Sequence, residues 1–199
     1  MAKRCCGVTL IELTMVIVLM SLVFLGFFSI VVFSGEQVKS AINRSKVQNE
    51  ISYALEFMSK YVQQGIGNSA NPSIKAYATG FQVGVDFNPI QTPGIFSDDS
   101  SIIFSLSGNQ LSATCTNSVT GSGCPFTNET LSSRIAGSLV TGTIMPESPT
   151  EGFYVRITDQ GMAVDIGLSG RYKPAVAAGQ DNPQISMRTR SVSLNSSAH

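Results

Sequence analysis

The chain has 199 residues, room for a membrane helix and one soluble domain of ordinary size. Its 13 basic and 13 acidic side chains cancel to a formal net charge of zero, so the composition carries no general attraction to nucleic acid. The lone histidine, His199, leaves no Ser-His-acid set and no zinc-binding His-Glu pair, and no Gly-rich phosphate loop opens a helix. In chain order, a basic head, Lys3-Arg4, meets Cys5-Cys6-Gly7, and residues 8–33 follow as a largely apolar run with a single charge, Glu12. At a helical rise of about 1.5 Å per residue this run exceeds the roughly 30 Å of a bilayer core. It is apolar all round rather than on one face, as a lipid-surrounded helix requires. It is also longer than a secretory-signal core of roughly 7–15 residues, and a lipoprotein signal would need apolar residues before its cysteine. The basic head predicts a cytoplasmic amino terminus and an exported bulk. A carboxylate in such a helix is costly and marks a function with a partner.

Lys3-Arg4, Gly7, Val8 and Thr9-Leu10-Ile11-Glu12-Leu13, followed by an apolar helix, resemble the class III signal and first helix of type IV prepilins and pseudopilins. The resemblance is confined to the leader and this first helix. It implies that a prepilin peptidase removes leader residues 1–7, cutting between Gly7 and Val8 on the cytoplasmic face and methylating the new Val8 amine. It also implies that Glu12 pairs with the amino terminus of a neighbouring subunit. The implied partners are the peptidase, other pilin or pseudopilin subunits, the inner-membrane assembly platform and membrane lipid, with no cofactor. Many major pilins carry a proline in this helix; here none precedes Pro72, which points to a minor pilin or minor pseudopilin.

Past Phe33 the chain turns polar at Ser34-Gly35-Glu36-Gln37, yet Ile51, Ala54, Leu55, Met58, Tyr61 and Val62 keep a helical i, i+3, i+4, i+7 stripe. Val38, Ile42 and Val47 extend it less regularly, and Gly65, Gly67, Asn68 and Pro72 supply stops. Residues 34–67 are therefore expected to continue the membrane helix of 8–33 as an amphipathic segment, the alternative being a break at Ser34-Gly35.

From 68 to 199 the pattern is strand-like. Residues 76–87 alternate through Phe81, Val83, Val85 and Phe87, and 88–99 read as loop. Stretches 102–106 and 111–114 flank Ser107-Gly108-Asn109-Gln110 at hairpin spacing. Residues 139–145 suggest a short strand, and 153–158 with 162–168 the hairpin at the sheet's centre. Residues 170–183 read as loop, and 185–194 as a last strand whose change of phase predicts a bulge near Arg190. A long helix followed by strands predicts an α+β fold with an antiparallel sheet laid on the amphipathic half of the helix, which agrees with the pilin-like fold that the leader implies.

Of the four cysteines, Cys115 and Cys124 survive the proposed cut and lie close together on the exported side, which favours a disulfide over two free thiols. Asp98-Asp99, Asp159, Asp165 and Asp181 do not follow EF-hand spacing and read as solvated turn residues, with calcium as the alternative. Phe153, Tyr154 and Arg156 suit either an interaction surface or strand packing. The expected protein is a single-pass inner-membrane subunit with a periplasmic or extracellular head, acting by assembly rather than catalysis. A stand-alone membrane-tethered binding or sensor domain is the alternative.

Overall fold

The structure, a computed structural model, describes residues 9–87, 99–116, 123–141 and 152–196, with the backbone alone at 195–196. A single helix, α1 (Leu10–Gln63), runs through Ser34-Gly35 unbroken. The chain forms two compact units, Met1–Ala41 and Ile42–His199, and α1 contributes to both. In the first unit its apolar side chains are exposed on every side, Phe24 and Phe28 by 66% and 69%. In the second, Val47, Ile51, Ala54, Leu55, Met58, Tyr61 and Val62 are buried, the stripe read from helical spacing, whereas Val38 and Ile42 stay exposed. The helix stops short of residue 67 because the Gly65 amide turns back to the Val62 carbonyl at 3.0 Å. Ile66–Gly67 then form β1, which pairs in parallel with the last strand, β11 (Asn195–Ser196).

Two further sheets make up the head. The five-stranded one has the order β2 (Ile74–Tyr77), β3 (Gly80–Val85), β4 (Ser100–Ser107), β5 (Gln110–Thr116), β6 (Asn128–Ser132), every neighbour antiparallel. Along β4, Ile102, Phe104 and Leu106 point inward between half-buried Ser101, Ile103 and Ser105, the period-2 alternation that a one-sided sheet needs. Its hairpin to β5 closes over Gly108-Asn109, with Gly108 at φ 59°, where glycine meets no steric penalty. The strand expected over 76–87 is instead two strands, β2 and β3, folded back at Ala78-Thr79. Gly80 lets β3 lie close against β4, since a Cβ there would collide with the Phe104 carbonyl oxygen.

The second sheet has the order β10 (Ile185–Val192), β9 (Ala163–Gly170), β8 (Phe153–Thr158), β7 (Leu139–Thr141). The hairpin 153–168 is its centre, as expected, but β7 joins β8 in parallel, because residues 142–152 intervene where a tight turn would force antiparallel pairing. No bulge occurs near Arg190: β10 pairs in unbroken register from Ile185 to Val192. Its alternation persists throughout, and Val192 simply faces outward, 44% exposed. The irregularity lies elsewhere, between Leu111 and Ser112 on β5.

One core joins α1 to both sheets. Phe57 of α1 meets Phe104 edge-on at 6.4 Å, Phe104 meets Phe81 at 4.9 Å, and Phe81 meets Phe153 of the second sheet at 6.2 Å. Burial holds the Tyr61 phenol above its ordinary pKa, and nearby Tyr53 and Glu129 add in the same direction. An ionic latch fastens α1 to the segment after β6. Arg134 Nε donates to Glu50 Oε1 at 2.6 Å, Ser132 Oγ to Glu50 Oε2 at 3.2 Å, and the Arg134 guanidinium lies 4.5 Å from the Tyr172 ring centroid. The pair is half-exposed, 24% and 32%, so it falls between a surface ion pair and a buried one. Arg134→Ala is expected to lower stability by about 1–2 kcal/mol in urea denaturation. A loss under about 0.3 kcal/mol would show that the latch is ornamental.

Candidate assembly site at the amino-terminal helix

The first turn of α1 is a complete capping box. Thr9 precedes the helix; its backbone N–H and its hydroxyl both donate to Glu12 Oε2 at 2.9 Å, and the Glu12 N–H donates back to Thr9 Oγ1 at 3.4 Å. Two of the orphan amides at the helix start are thereby satisfied, and the carboxylate sits where the helix dipole favours negative charge. Thr-Leu-Ile-Glu carries the signature of this motif. Among the described residues Glu12 has no ion-pair partner, and its Oε1 receives no hydrogen bond.

The hydroxyls that interrupt the apolar run are satisfied on their own helix. Thr14 Oγ1 donates to the Ile11 carbonyl at 2.9 Å, Ser21 Oγ to Ile17 at 2.6 Å and Ser29 Oγ to Leu25 at 2.9 Å. This back-bonding removes the cost of placing them in hydrocarbon. By length and composition α1 is the one described helix able to cross a membrane, and it lies near the amino terminus.

Gly7 and Val8, the proposed cleavage pair, lie outside the described residues, as do Lys3, Arg4, Cys5 and Cys6. Cys115 and Cys124 are joined in a disulfide, with Cα atoms 5.9 Å apart. Phe153 and Tyr154 do not offer an interaction surface: they are 0% and 1% exposed, because this end of β8 is covered on both faces. Arg156 remains on the outer face, 4.0 Å from Asp165. Arg190 joins it there, 2.7 Å from Asp159 and 3.8 Å from Asp165. These two aspartates are thus ion-paired turn and strand residues, while Asp98 lies outside the described residues. Among the described residues no group of three His, Cys, Asp or Glu side chains could hold a metal.

Compared with protein-family models, curated proteins and solved structures, the chain finds no match. The chain is therefore defined by its own features: an α+β head and a long helix with an exposed apolar first stretch.

Proposed function

We propose that the chain is a membrane-anchored minor pilin or minor pseudopilin. A prepilin peptidase cuts it after Gly7 and methylates Val8, and the inner-membrane assembly platform adds it to a filament of other pilin or pseudopilin subunits. Its head lies in the periplasm or outside the cell, and it serves protein secretion, pilus biogenesis or DNA uptake by assembly rather than catalysis. The observation that supports this best is the division of one helix: an all-round exposed apolar stretch with a lone carboxylate on its first turn, then a stretch buried in a head. Glu12 Oε2 is held by Thr9, while among the described residues Oε1 receives no hydrogen bond. Cutting after Gly7 creates an ammonium at Val8, and the amino-terminal ammonium of a neighbouring subunit, made by the same cut, is the cation that a carboxylate at this depth requires.

The capping box favours a second reading, because it gives Glu12 a purpose within one chain and leaves a tethered binding or sensor domain possible without a filament. Glutamine separates the two, since it preserves the capping box and removes the charge. If assembly depends on the ion pair, Glu12→Gln and Glu12→Ala are both processed normally, yet both are recovered with neighbouring subunits about tenfold less than the parent. If Glu12 is only a cap, Glu12→Gln behaves as the parent and Glu12→Ala loses about 1 kcal/mol of helix stability. Parent-level co-purification of Glu12→Gln would remove the ion pair from the account.

A further inference from the structure

One face of the five-stranded sheet is turned away from the core. Alternation along β4 and β5 places Ser101, Ser105, Ser112 and Thr114 on it, around a single half-buried aliphatic side chain, Ile103. Its hydroxyls and amides are knit across the strands: Ser105 Oγ lies 3.3 Å from Ser112 Oγ, Gln110 Nε2 donates to Thr130 Oγ1 at 2.9 Å, and Thr114 Oγ1 to Asn128 Oδ1 at 3.4 Å. The one charged residue of β3 to β6, Glu129, stands opposite Ala113, on the other side of the sheet. A face of this kind carries no charge to select an ion and has little apolar surface to offer.

Toward β2 this face deepens into a pocket of about 200 Å³, wholly within the second unit. Lys75, Gln82, Gly84 and Ser101 line it from neighbouring strands, with Lys75 paired to Gln82 and Gly84 to Ser101, and Asn71 and Asp99 join them. Among the described residues, the side chains of Asn71, Lys75, Gln82 and Ser101 make no hydrogen bond or ion pair. Glycine at 84 keeps the space clear, because a Cβ there would stand 3.6 Å from the Ile66 carbonyl oxygen and 3.9 Å from that of Ser73. Beside the pocket, Tyr77 is 44% exposed and lies two residues beyond Lys75 on β2, about 7 Å along the same face.

These groups define the class of ligand. An apolar molecule would strip water from two amides, an ammonium and a hydroxyl without replacing it. A simple anion would meet the Asp99 carboxylate, and a simple cation the Lys75 ammonium. The hydroxyls of a sugar ring both donate and accept, so one ring satisfies amide, ammonium and carboxylate together, and its C–H face suits an aromatic ring such as that of Tyr77. The volume is below the roughly 300–1,000 Å³ of drug-sized sites, which matches one ring of a longer chain.

We propose that the head binds a neutral oligosaccharide, with one sugar ring in the pocket between β2, β3 and β4, the next on Tyr77, and the uncharged face of β4 and β5 beside them. Neither processing at Gly7 nor assembly enters into it. The full-length chain is reconstituted in nanodiscs, free of glycoside detergents that would compete, and mixed with maltotetraose, cellotetraose, mannotetraose, galactotetraose or chitotetraose. Saturation-transfer NMR and calorimetry record binding. Gln82→Ala removes a side chain that bonds to no other described residue, and Gly84→Ala adds a methyl to the pocket at ordinary contact distances, so each tests the site without disturbing the sheet. Tyr77→Ala tests the neighbouring position, and Lys60→Ala on α1 is the control.

At least one tetrasaccharide is expected to bind with a Kd of about 1 mM or tighter. Gln82→Ala, Gly84→Ala and Tyr77→Ala should each weaken it about tenfold at an unchanged melting curve, and Lys60→Ala should leave it as in the parent. If one of the pocket variants fails to fold, the other decides. Absence of a saturation-transfer signal from the folded chain with all five sugars would overturn the proposal. So would a signal that survives all three substitutions, since the sugar would then sit elsewhere. Binding of free serine with no sugar bound would assign the pocket to a zwitterion and overturn the saccharide.

Discussion

Phe104→Ala is expected to remove about 3–5 kcal/mol from the stability of the head, read as a lower urea midpoint at unchanged slope. The side chain is fully buried and is the middle link from Phe57 on α1 through Phe81 on β3 to Phe153 on β8. Truncation therefore opens a cavity where the helix and both sheets meet, a place where no single element can move in to fill it without leaving another. Domains are typically stable by only about 5–15 kcal/mol, so the loss is a large fraction of the whole. Phe104→Leu keeps much of the volume and should cost less than half as much. Equal losses for the two variants would mean that ring geometry rather than filled space holds the junction.

The second large effect belongs to the disulfide. Cys115 ends the buried row of β5, and its partner Cys124 stands two residues before Phe126, which packs on Phe57 at 5.4 Å and on Tyr61 at 5.6 Å. The bridge closes a short loop, with a sequence separation of 9, and holds Phe126 against Phe57 and Tyr61 of α1. Loop-closure entropy gives roughly 2–3 kcal/mol for a ring of this size. The double substitution Cys115→Ser, Cys124→Ser should lower the unfolding free energy by that amount, and dithiothreitol should do the same to the parent but not to the double variant. An unchanged melting curve in reductant would show that β5 and Phe126 are held by packing alone.

Helical spacing is the part of this fold most legible in the sequence. The stripe from Ile51 to Val62 repeats with a period that only a helix satisfies, and the residues it names are those that α1 buries. The hairpins of β4 with β5 and β8 with β9 were legible for the same reason, each having a turn between two alternating arms. Strand β6 was not: Asn128-Glu129-Thr130 lies on a sheet edge, where one side needs no apolar residue, so the pattern is silent. The division into two sheets was equally hidden, since it depends on pairings between distant segments such as Ile135 with Gly170.

At the amino terminus the reverse holds. Thr9-x-x-Glu12 spells a capping box in plain view, but five residues past the proposed cut after Gly7, in a stretch that resembles a prepilin's, the carboxylate reads first as an assembly residue. Thr9 donates to Oε2 alone, so the local role is compatible with the proposed intersubunit one. Asn182 shows the other limit. A lone asparagine in a Gly- and Ala-rich segment carries no local signal, and its four backbone contacts exist only once the loop has closed around it.

Whether this helix begins a processed subunit is decided by the intact mass of the chain purified from cells with an active prepilin peptidase. The expected protein starts at Val8, heavier by one methyl group where the amine is modified, and stays uncut when the peptidase is inactivated. A chain that still carries Met1 through Gly7 beside an active peptidase would contradict it.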